Sequence, residues 1–228
     1  MSCHTHKTEA LSPYTREGPG GPTPTTTAQD QFAQRLRGVL RRINAWIRDA
    51  VISRDLFNLR TEALVDDVPN EIFEVDTRRR AVLGFIRWLR EQLDTEFLEV
   101  VGEDRNQFVD KAYAAGIRNV NSQLKEDLPS IAPTDVSDLL GRPFHRAELQ
   151  TLYTRVFENL ESVRDDVSQA VRDTLIDGFR EGVNPTEIAT RLTGRVDSIG
   201  KHRATMIARS EVMNAYSSGT LNRVRELN

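Results

Sequence analysis

The chain has 228 residues, 38% of them apolar and 7% aromatic, with 29% charged side chains and a net charge of −3. That leaves room for one large or two small domains around a thin core, and the mild charge gives no whole-protein argument for nucleic-acid binding. The single cysteine, Cys3, excludes an intrachain disulfide and a multi-cysteine zinc site. No stretch approaches the ~18 apolar residues of a membrane span, and the first residues lack the apolar core of a signal peptide. Lysine is scarce: only Lys7, Lys111, Lys125 and Lys201 interrupt an otherwise arginine set of basic residues. Arginine suits bidentate contacts with carboxylate or phosphate, though a GC-rich genome or adaptation to salt produces the same bias.

Residues 1–28 read as an extended arm, with Pro13, Pro19, Pro22 and Pro24 among Gly18, Gly20 and Gly21, then a threonine run. Such a segment buries too little apolar surface to offset its ordering entropy, so it is expected to lie along a partner. An N-terminal helical region follows over 29–128. Phe32, Leu36, Val39, Leu40, Ile43 and Ile47 recur at three- and four-residue steps, predicting a helix from about Asp30 to about Arg54. After an irregular stretch holding Asp66, Asp67 and Pro69, a second helix starts near Asp76, with Val82, Leu83, Ile86, Leu89, Leu93 and Phe97 as its stripe. It stops at Gly102. A third runs from about Asp104 to Leu124 through Phe108, Val109, Ala112, Tyr113, Ile117 and Val120. Residues 129–144, with Pro129 and Pro133, read as a linker.

The remainder, 145–228, opens with the longest periodic segment, from about Arg146 to Arg180, about 50 Å at 1.5 Å per residue. Leu149, Leu152, Val156, Leu160, Val163 and Val167 mark its buried side. Gly182 suits a helix C-terminus, and Asn184-Pro185 an N-cap followed by proline, with Glu187 in capping-box position. A short helix is expected over Pro185–Leu192, stopped at Gly194, before a last helix led in by Ser198–Lys201. No strand pattern occurs, so the predicted class is all-α and elongated.

In that last helix, residues 203–219 read RATMIARSEVMNAYSSG. Placed at 100° per residue, Ala204, Ala208, Ala215 and Gly219 share an arc of about 60°, a face thin enough for another backbone to approach closely. Glu211 lies at the edge of this face and is expected to be partly buried, hence paired. Candidate cations are Arg191, Arg195 or an arginine of another subunit. Arg203 and Arg209 point elsewhere, toward other partners. Glu211 reads as a structural ion-pair member or a partner contact.

These residues, with GFREGVNPTEIATRL before them, resemble the signature of the phage head morphogenesis (Mu F-like) family of tailed-virus minor capsid proteins. The matching positions are Arg203, Ala204, Ile207, Ala208, Arg209, Ser210, Glu211 and Ala215, and the resemblance covers roughly 145–228. It implies a virion protein made in the host cytoplasm and carried near the portal vertex in several copies. Portal and other capsid proteins would be its partners, in head assembly, genome packaging or ejection. It implies no catalytic residue, and longer relatives continue past the helix that here ends near Asn228.

Other chemistry is thinly represented. Cys3, His4 and His6 are soft ligands in an arm without supporting contacts, so no metal or cofactor is expected. No P-loop, Gly-rich nucleotide turn, HExxH or Ser–His–Asp pattern occurs, so the chain is not read as an enzyme. Arg41 and Arg42 on the first helix and Arg78, Arg79 and Arg80 on the second are candidate phosphate contacts. They support an alternative reading as a DNA-binding protein acting on packaged double-stranded DNA. Glu91, Asp94, Glu96 and Glu99 nearby offset that charge.

Overall fold

The computed structural model describes residues 25–59, 71–102, 104–127 and 135–227. Helix α1, Thr26–Arg48, runs on into a π-helical turn at Asp49–Ser53. Then come α2 (Glu71–Val101), α3 (Gln107–Asp127), α4 (Val136–Leu140), α5 (Pro143–Glu181) and α6 (Pro185–Leu227). The described residues hold no strand, and the protein is all-α. The two longest helices, of 39 and 43 residues, each extend about 60 Å and set the long dimension. The arm expected over 1–28 lies outside the described residues as far as position 24. So do Asp66, Asp67, Pro69, Pro129 and Pro133.

Local chemistry fixes the helix ends. Asn106 Oδ1 accepts the Phe108 and Val109 amides at 3.0 and 3.3 Å, so α3 starts after Asn106 and not at Asp104. The expected linker contains α4, whose N-cap Asp135 accepts the Ser137 amide at 2.7 Å. Gly182, at φ 65°, is the left-handed C-cap of α5, and Val183 N–H reaches back to Gly178 O at 3.2 Å. Two residues later Asn184 Oδ1 accepts the Glu187 amide at 2.9 Å, with Pro185 opening the next helix.

That helix does not stop at Gly194. α6 is continuous from Pro185 to Leu227, where two helices were expected. Ile188, Ala189, Leu192 and Val196 are buried on one side of it, and Asn44 of α1 donates to Asp197 Oδ1 at 2.6 Å. This packing outweighs the cost of one helical glycine, about 1 kcal/mol. Gly200 belongs to the same contact: a β-carbon there would stand 2.5 Å from Leu40 Cδ1.

α5 and α6 form an antiparallel pair. Gly178 meets Ile188, Arg203 pairs with Asp166, Arg155 with Glu211, and Arg142 with Glu226. α1 and α3 cover the rest of α6, and α2 packs across α1 and α5. One continuous apolar cluster joins α1 through α6, so the 29–128 and 145–228 regions share a core. The predicted stripes of α1 and α3 are buried throughout, but on α2 Leu83 is 53% exposed and Phe85 is buried in its place.

The tightest point is the crossing of α3 and α6. A β-carbon on Gly219 would stand 2.2 Å from Tyr113 O, and one on Gly116 would stand 2.2 Å from Tyr216 O. Each glycine therefore admits the other helix's backbone. Gly194, by contrast, has nothing within 4 Å of that position. Gly219→Ala is expected to lose about 1–3 kcal/mol by overpacking, despite alanine's better helix propensity. Gly194→Ala is expected to gain up to about 1 kcal/mol in chemical denaturation. The opposite ordering of the two variants would contradict the close crossing.

Candidate functional site

Successive steps of three and four residues place Gly200, Ala204, Ala208, Glu211, Ala215, Gly219 and Asn222 on one buried side of α6. Glu211 is 3% exposed in this seam. Its Oε2 accepts Arg155 Nε at 2.9 Å and its Oε1 accepts Asn159 Nδ2 at 3.1 Å. Arg155 Nη2 is also 2.8 Å from Oε2, close enough for charge attraction but not aligned as a hydrogen bond. The carboxylate is thus neutralised and held at both oxygens, as burial requires.

The cation comes from the middle of α5, not from Arg191, Arg195 or a second subunit. The antiparallel register sets position 155 opposite 211, while Arg191 and Arg195 lie several turns back along α6. Arg191 instead pairs with Glu181 at 2.6 Å and Glu187 at 2.9 Å. Arg203 donates to Asp166 Oδ2 at 3.0 Å and to Ser162 Oγ at 3.2 Å. Arg209 is exposed and has no partner among the described residues. The residues of the motif are therefore divided: the small side chains and Glu211 face inward, while Arg203 and Arg209 line the outer flank.

A second buried polar cluster closes the end of the bundle where α3, α5 and α6 meet. His145 is fully buried, and its Nδ1 lies 2.7 Å from Tyr113 Oη. Tyr113 Oη accepts Asn222 Nδ2 at 3.0 Å, so its own proton goes to His145 Nδ1. That assignment leaves the histidine proton on Nε2, 3.2 Å from Glu226 Oε1 but poorly aligned for a hydrogen bond. Arg223, also buried, donates to Asn121 Oδ1 at 2.8 Å and to Glu226 Oε2 at 3.2 Å. Arg142 stands 3.2 Å from Glu226 on the solvent side. Burial pushes the Tyr113 phenol up to about 12. Tyr, His and carboxylate are thus in line, yet the histidine has no solvent-facing surface on which a substrate could meet it. The cluster ties the last turns of α6 to α3 and α5.

The arginines read as phosphate contacts have separate fates. Arg42 Nε donates to Glu96 Oε2 at 2.8 Å and is committed to that pair. Arg41 is exposed beside Arg37 and Lys201 in a shallow groove between α1 and α6 that also holds Asp197. Arg78 and Arg80 each have a partner, and Arg79 is exposed. The five do not form one surface comb. Among the described residues no group of three or more His, Cys, Asp or Glu is placed to hold a metal; Cys3, His4 and His6 lie outside those residues.

Sequence reasoning did not find the roles of Arg155, Asn159, His145, Asn222 and Arg223. Asn222 had a readable signal, since it continues the alanine stripe at a seven-residue step from Ala215. Arg155 and His145 had none, because their roles depend on how α5 is registered against α6. No family model matches the chain, and no curated protein or solved structure matches it either.

Burial alone would raise the Glu226 carboxyl, but the contact with His145, the hydrogen bond from Arg223 and the charge of Arg142 outweigh it. The group is held below its ordinary value. A carboxyl lowered by folding stabilises the native state above its unfolded value, near 4.3, and that contribution fades as pH falls through the folded value. Glu226→Gln is expected to be less stable than the parent at neutral pH, the gap closing as the pH drops below about 4 in urea titrations. A gap that stays constant down to about pH 3 would contradict this role.

Proposed function

We propose that this chain is a structural assembly protein, a minor capsid or head morphogenesis protein of a tailed virus that associates with the portal vertex. The observation that carries the reading is the run RATMIARSEVMNAYSSG, whose resemblance to the head morphogenesis family rests on inward residues as well as on Arg203, Arg209 and Ser210 of the outer flank. Ala204, Ala208, Ala215 and Glu211 are all buried in the seam of α6. A motif whose inward residues build a helical hub is better suited to a scaffold that positions surfaces than to a reaction centre. The glutamate is spent on Arg155 and Asn159.

Thr26 to Ala28 belong to α1, so the residues before that helix and the outward Arg209 are the features of this proposal that would meet neighbours. Residence in the virion, several copies per particle, and a part in packaging or ejection follow from the same resemblance. A second reading, contact with packaged double-stranded DNA, is favoured by the groove in which Arg37, Arg41 and Lys201 face a single acid, Asp197. Phosphates bound there would release counterions and weaken steeply with salt.

The test is co-sedimentation of the purified chain with its cognate portal protein and, separately, with duplex DNA at low and high salt. The assembly reading expects a portal complex that persists when salt is raised. A chain that stays monomeric with portal and shifts only with DNA, losing it at high salt, would overturn that reading in favour of the second.

A further inference from the structure

Away from the α6 seam, α2 and α5 leave a trough between them that no other described element fills. Arg79 and Leu83 of α2 form one side, and Arg172, Ile176, Phe179 and Arg180 of α5 the other, around a volume of about 660 Å³. Its floor is apolar. Phe179 rests on Phe57 with ring centroids 5.6 Å apart, and Val82 beneath is 5% exposed. Its shoulders are apolar too, yet wet: Leu83 is 53% and Ile176 40% exposed. On α5 the lining positions 172, 176, 179 and 180 recur at three- and four-residue steps, so about 12 Å of one helix face has no described helix over it.

The rim is basic. Arg79 and Arg172 have no ion-pair partner among the described residues, Arg78 lies on the same edge with a partner of its own, and Arg180 approaches Asp177 at 3.5 Å. Asp173 of α5 does not line the trough but a separate groove beside Arg195 and Arg203 of α6, where it accepts Gln169 Nε2 at 2.8 and 2.9 Å. Guanidinium groups on stems that flank an apolar floor can cover that floor while keeping their charge at the edge. Nucleic-acid backbone would satisfy the charges but leave Leu83 and Ile176 with nothing to bury. A helix with an apolar stripe and carboxylates on both flanks satisfies both halves of the trough.

We infer that the α2–α5 trough is a docking groove for about two turns of an acidic amphipathic helix supplied by a partner protein. The inference stands apart from the reading of α6 and holds whether or not the partner is a portal or capsid protein. The apolar stripe would seat on Leu83, Ile176 and Phe179, and its flanking carboxylates would meet Arg79 and Arg172. Bidentate guanidinium–carboxylate geometry would fix its direction.

The experiment uses the full chain and two fluorescent, helix-stapled peptides of ~14 residues with the same leucine stripe, one flanked by glutamates and the other by lysines. Anisotropy is expected to show saturable binding of the glutamate peptide only. R79E/R172E and L83Q/I176Q should each weaken it by at least about tenfold, at exposed positions that leave circular dichroism unchanged. R79E/R172E should in turn bind the lysine peptide, a reversal that mere loss of folding cannot produce. Equal binding of the glutamate peptide to the parent and both variants would overturn the proposal. So would no binding at all, or capture of a 20-base-pair duplex, about two helical turns, by the parent and L83Q/I176Q alike with neither peptide bound.

Discussion

The backbone of α6 approaches the backbone of α3 so closely that neither Gly116 nor Gly219 has room for a β-carbon. Much of the remaining architecture accommodates that approach. Two helices this close need small residues on both sides, Gly219 on α6 and Gly116 on α3; farther along the same small-residue line of α6, Gly200 admits Leu40 of α1. Little apolar volume can be buried at such a line, so the larger side chains of α1, α3 and α5 must supply it. Phe32 stacks on Phe108 at 4.7 Å, and Leu36, Ile43, Leu160 and Leu175 are all essentially buried. The thin face of α6 is compensated by thick faces on its neighbours.

A close seam also governs which polar groups it can hold. Glu211 enters it because α5 presents Arg155 and Asn159 from the side, Arg223 because Asn121 and Glu226 accept from it, and His145 because Tyr113 bonds its Nδ1 and Glu226 lies beside its Nε2. Removing one partner of such a pair would leave a charge or dipole out of water, which costs more than the pair itself contributes. The polar groups therefore fix the register of α5 on α6 more than they add stability. A slide of one turn would separate Glu211 from Arg155 and Glu226 from Arg142 together.

The helices themselves were legible wherever periodicity was strong and tertiary packing agreed with it. The stripe of α1 from Phe32 to Ile47 and that of α3 from Phe108 to Val120 are buried as their spacing predicts. Gly182 and Asn184 end one helix and start the next by local chemistry alone. Gly194 misled because a helical glycine is only weakly unfavourable, and Ile188, Leu192 and Val196 hold the helix through it. Leu83 misled because an apolar residue beside a stripe is not marked as core or surface until the neighbouring helix is placed. The alanine face was readable as a close-approach surface, but what meets its Gly219 end was not: Tyr113 and Gly116 lie about a hundred residues earlier, and no local pattern links them. Arg155 escaped for the same reason.

Whether α6 is one continuous helix clamped by α3 is read most directly by residue-resolved native-state hydrogen exchange. The amides of Ala204 through Gly219 and those of Ala112 through Ile117 should exchange together, at the free energy of global unfolding. If the α6 amides opened at markedly lower free energy than those of α3, or if protection broke at Gly194, the clamp would not exist.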